Sequence, residues 1–113
     1  MFHLLSAMAY VTKEELRNLT GLTEIEVSDD RLDQIIVDAV NFVEGYTGQS
    51  WSPSDADYSK IQTATRFIAI GLAYDTLPQT REINEKAQRF HEKGLRLLDG
   101  LVVLDGTMRV VQA

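Results

Sequence analysis

The sequence predicts a mainly α protein, a compact bundle of about four helices with a C-terminal β-hairpin or extended tail. Three observations predict it. Polar cap residues stand ahead of four segments whose apolar residues recur with a helical period. Gly21, Gly48, Pro78 and Gly100 stand where those segments run out. Only residues 101–111 change character, with β-branched runs on either side of Asp105-Gly106.

The first helix opens at Thr12, with Glu15 three residues on, the pairing of a capping box. Val11 and Leu16 stand where a hydrophobic staple would join them, and Gly21 offers a left-handed stop, so the helix runs from about Lys13 to Leu19. Leu22, Ile25 and Val27 read as an apolar connector. The second helix is capped by Ser28 or Asp29, and Asp29, Asp30 and Asp33 suit the positive end of its dipole. Its stripe runs from Leu32 through Ile35, Ile36, Ala39, Val40 and Val43 to Tyr46, and Gly48 ends it. Residues 49–53 form a loop. Ser54 with Asp57 starts a third helix, about Asp55 to Thr76, apolar on nearly every side from Phe67 to Tyr74. Such a helix belongs in the middle of a domain or against a second subunit. Thr80 caps the fourth, about Arg81 to Leu98, with a stripe of Ile83, Ala87, Phe90, Gly94, Leu97 and Leu98. Glu82 to Lys86, Glu85 to Arg89 and Glu92 to Arg96 have the spacing and order of stabilising pairs. Gly100 closes it. A two-stranded hairpin is marginal alone, so the last segment needs the helices or a partner to pack on.

Length and composition set bounds. At 113 residues and 44% apolar the chain fits one ordinary globular domain. Three parts are expected: an apolar arm at residues 1–10, a helical domain at 11–100 and a tail at 101–113. The opening residues lack the positive segment of a signal peptide, so they read as an arm seeking a surface, or as a frayed terminus. No run of about 18 apolar residues appears, so no membrane span is expected. Without cysteine, neither disulfides nor thiolate metal sites can form. Net charge is −6, and all of it lies in residues 1–52, where Lys13, Arg17 and Arg31 face nine acids. That balance argues against a surface built to grip phosphates.

The sequence offers no catalytic constellation. His3 and His91 have no second His at ligand spacing, and the acids near residue 30 form no calcium loop. The glycines are isolated stops rather than a phosphate cradle, and Ser50, Ser52 and Ser54 have no His nearby to act as base. Neither enzyme activity nor a cofactor is expected. Lys86, Arg89, Lys93 and Arg96 lie on one helix stripe with glutamates interleaved, which reads first as a solvated face. The other reading pairs this stripe with Asp29, Asp30, Asp33 and Asp38 of a neighbouring copy. Two different patches make a heterologous contact, which builds a ring or a filament.

The run from Ala39 to Gly48, with Glu44, Tyr46, Thr47 and Gly48 at its end, resembles the end of an early helix in the head–tail connector (adaptor) family of tailed viruses. Ala64 to Asp75 is similar to that family's central apolar helix, and Val11 to Arg17 to its opening. The likeness spans roughly residues 10–77 and fails after Pro78, where this chain adds a long charged helix and the Asp105-Gly106 segment. The resemblance implies a ring of identical copies on the portal, in the virion neck, made in the host cytoplasm. It would join capsid to tail, contact a tail or head-completion protein, and let DNA pass without sequence-specific binding. Acidic channel walls would repel DNA and keep it moving. The resemblance further implies portal or neighbour docking by the tail, through Leu101, Val102, Val103, Leu104, Met108, Arg109, Val110 and Val111. Phe2, Leu4 and Leu5 are a second contact arm. Two alternatives stand beside this: a helical module binding one protein partner, and a small helix-turn-helix DNA-binding regulator.

Overall fold

The computed structural model describes residues 10–101 and, beyond them, the backbone of residues 103–104 and 107–108. Four helices carry the fold: α1 (Lys13–Thr20), α2 (Asp29–Thr47), α3 (Tyr58–Asp75) and α4 (Arg81–Leu98). The arm at residues 1–9 and the hairpin expected around Asp105 and Gly106 lie outside the described residues.

Local chemistry explains where three of the helices start. Thr12 Oγ1 accepts from Glu15 N at 3.1 Å while Glu15 Oε1 accepts from Thr12 N at 2.9 Å, so the capping box satisfies two free donors of α1. Ser28 caps α2 through Arg31 N, and Thr80 caps α4 through Ile83 N. Gly21 and Gly48 adopt φ of 71° and 86°, the left-handed region that a side chain would strain.

The core lies where α3 meets the other three helices. Val11, Leu16, Ile36, Ile61 and Leu98 are fully buried, each worth roughly 1.5–3 kcal/mol of transfer from water. The stripe of α2 is buried from Leu32 to Val43 as its period requires. α4 lies close on α3 because Gly94 has no side chain: a Cβ there would stand 2.6 Å from Ile68 Cδ1 and 3.2 Å from the Ala64 carbonyl oxygen.

The structure corrects several expectations. Ile25 does not join an apolar connector; it is 96% exposed, while Leu22 and Val27 are buried beside it. α3 starts at Tyr58, three residues late, because Asp55 is held in a turn: its carboxylate accepts from Ser52 N and its carbonyl from Tyr58 N. α4 ends at Leu98, where it was expected, but without a left-handed glycine. Asp99 caps α4 in a right-handed conformation, and Leu101 N donates to the Leu98 carbonyl, so no reversal is needed. Tyr10 and Leu101, read as parts of the arm and the tail, are buried in the core.

Candidate interaction surfaces

A polar knot fixes the corner after α2. Thr47 is fully buried; its hydroxyl donates to the Val43 carbonyl at 2.8 Å and accepts from Trp51 Nε1 at 2.9 Å. The Tyr10 hydroxyl donates to Glu44 Oε2 at 2.7 Å and accepts from Trp51 N at 2.7 Å. Burial and the Glu44 carboxylate push the Tyr10 phenol well above its ordinary value of about 10. The Tyr46 hydroxyl donates to Asp99 Oδ1 at 2.7 Å, tying the end of α2 to the end of α4 and raising the Tyr46 pKa. Every member of the Tyr46-Thr47-Gly48 run thus has a local structural task.

Internal pairing divides the acids of α2 into two groups. Asp29 meets the Arg17 guanidinium at 2.7 Å, which holds its carboxyl below the usual range, and Asp33 meets Lys13 at 3.2 Å. Arg17 also donates to the Leu22 and Val27 carbonyls and pairs with Glu24, clamping the α1–α2 connection. Asp30 is exposed, and Asp38 accepts only from Gln34 Nε2 at 2.9 Å; neither is in an ion pair among the described residues.

The basic stripe of α4 divides in the same way. Lys86 lies over the Tyr74 ring at 5.2 Å, and Lys93 over Phe90 and Phe67 at 5.0 and 5.7 Å. Their stems cover a half-buried aromatic ridge between α3 and α4. Among the described residues the expected pairs Glu82–Lys86, Glu85–Arg89 and Glu92–Arg96 do not form: Lys86 is turned to the Tyr74 ring, and Glu85 pairs with Arg81 at 3.2 Å instead of Arg89. Arg89 and Arg96 are exposed and unpaired among the described residues.

On the other flank of α4 a groove of about 300 Å³ runs between α2 and α4 over α3, lined by Asp38, Phe42, Ile68, Leu72 and His91. Phe42 is 43% exposed, stacked on Tyr46 with ring centroids 5.8 Å apart. His91 rests on the backbone of Gly71, with its Nε2 3.0 Å from Asp75 Oδ2. Sequence reasoning passed over this groove. The available signal was Phe42, a large aromatic standing off the periodic stripe of α2.

The remaining expected contact residues, Phe2, Leu4, Leu5 and Val102 to Val111, have no described side chains. Among the described residues no group of three His, Cys, Asp or Glu could hold a metal, and no helix is long and apolar enough to cross a membrane. Comparison with protein-family models, curated proteins and solved structures found no match to this chain.

Proposed function

We propose that this chain is a structural part of a tailed virus's neck, a head–tail connector forming a ring of identical copies beneath the portal. The division of charge into paired and unpaired groups carries the assembly reading. After internal pairing, α2 keeps Asp30 and Asp38 on its outer face and α4 keeps Arg89 and Arg96 on its own. Meeting on adjacent copies, the two faces form a heterologous contact that closes into a ring when the rotation closes.

The neck location rests on the resemblance of residues 10–77 to the connector family. In this reading the ring joins capsid to tail, its excess of acid keeps DNA from sticking in transit, and residues 102–113 dock on the portal or a neighbour as a hairpin or added strand. The rival DNA-binding reading has less support, because Lys13 and Arg17, the cations that α1 would offer to phosphates, are engaged with acids of α2.

The test is co-sedimentation of the purified chain with portal rings, together with its mass in solution. The expected result is a portal species carrying many copies. A chain that stays monomeric or dimeric at every concentration and leaves the portal bare overturns the reading. A fixed one-to-one complex with some other protein would favour the binding-module alternative.

A further inference from the structure

The groove between α2 and α4 is apolar at its floor and acidic at its rim, and among the described residues nothing fills it. At about 300 Å³ it sits at the small end of ligand cavities, with room for a short run of apolar side chains. The same chain carries such a run. Met1 to Met8 holds Phe2, Leu4 and Leu5, has no carboxylate to oppose Asp38, and includes His3, which can carry the complementary charge.

The root of that segment points to a neighbouring copy. Tyr10 is pinned to Glu44 and to the Trp51 backbone. Glu44 and Phe42 are two positions apart on α2, about 200° around the helix, so Tyr10, where the segment is rooted, lies on the side away from its own groove. Nine residues reach at most about 30 Å, enough to cross to an adjoining copy. We infer that residues 2–5 of a neighbouring copy dock in the Phe42, Ile68, Leu72 and His91 groove, strapping one subunit to the next. The strap rests on the reading that copies assemble; it shares Asp38 with the charged face of α2 and adds the apolar groove beside it.

The cysteine-free chain gives a clean test. Two differently tagged chains, one carrying Leu4→Cys and the other Phe42→Cys, are mixed and mildly oxidised. The reference replaces Phe42→Cys with Leu19→Cys, since Leu19 is 54% exposed and lies away from the groove. Asp38→Cys is a second groove probe that leaves the Phe42 ring in place. Docking predicts that both groove probes crosslink between tags about tenfold faster than the Leu19 reference, the mark of a raised local concentration. Equal rates overturn the strap, as does a Leu4→Cys and Phe42→Cys double variant that closes only within one chain. Mass measured on the unmodified chain separates the two readings. Rings without preferred crosslinking overturn the strap alone; preferred crosslinking in pairs that never grow supports the strap and overturns the ring.

Discussion

Tyr10 joins the start of the chain to the corner after α2 through a single hydroxyl, and the proton on that hydroxyl makes the joint pH-dependent. The phenol is buried and donates to Glu44, so it loses its proton less readily in the folded chain than in the unfolded one. Above pH 10 the unfolded chain therefore binds fewer protons, and this stabilisation, fully present below pH 10, is lost as pH rises. Tyr10→Phe removes the hydroxyl and strands Trp51 N, a buried donor, at a cost of about 1–3 kcal/mol near neutrality. Denaturant titrations followed by the fluorescence of Trp51, the one tryptophan, should show this gap at pH 8 and a smaller gap at pH 11. The raised phenols of Tyr46 and Tyr58 are common to both proteins and cancel in the difference. A gap that stays constant over that range would show that the Tyr10 proton is not held by the fold.

At the scale of elements, glycine separates two kinds of helix position that look alike in sequence. Gly94 lies where α4 touches α3, and an added Cβ would press on Ile68 and on the Ala64 carbonyl oxygen. Gly45 lies in α2 with open space around it. Gly94→Ala should therefore destabilise by about 1–3 kcal/mol through overpacking, and Gly45→Ala should stabilise by about 0.5–1 kcal/mol through helix propensity. Thermal melts with opposite shifts would bear this out; the same shift for both would mean that α3 and α4 pack less closely. The contrast also shows what was legible in the sequence. Thr12 with Glu15, Ser28, Thr80, Gly21 and Gly48 act within four residues of themselves, so caps and stops could be read along the chain. Arg17 clamps carbonyls five and ten residues on, and Tyr46 is tied to Asp99 across 53 residues, so the exposure of Ile25 and the tie between α2 and α4 could not. The groove was hidden for the same reason, since Phe42, Ile68 and His91 come from three different helices.

At the scale of the whole molecule the question is whether the outer faces of α2 and α4 were made for each other. A stripe of charges on a helix is most simply a solvated face, and an exposed pair contributes only about 0.2–1 kcal/mol. In this chain Asp29 and Asp33 are occupied internally and Lys86 and Lys93 lie over rings, which leaves Asp30 and Asp38 beside Arg31 on one face and Arg89 and Arg96 among Glu82 and Glu92 on the other. If copies assemble through these faces, Asp30→Lys with Asp38→Lys should block assembly, and so should Arg89→Glu with Arg96→Glu. Each reversal turns attraction into repulsion, worth about 1–4 kcal/mol per contact, or roughly fivefold to nearly a thousandfold in its dissociation constant. The chain carrying all four reversals restores opposite charges across every contact and should assemble again, as should a mixture of the two blocked variants. In 1 M salt, where the screening length is about 3 Å, the four proteins should converge. Light scattering or native mass across this set distinguishes the possibilities without the portal. A solvated-face origin predicts that all four behave alike. A symmetric dimer through one face predicts that only one of the two reversals matters. Rescue of both blocked variants by mixing requires that the α2 face meets the α4 face, and a rescued mass beyond the dimer marks the head-to-tail form of that contact, from which a ring can close.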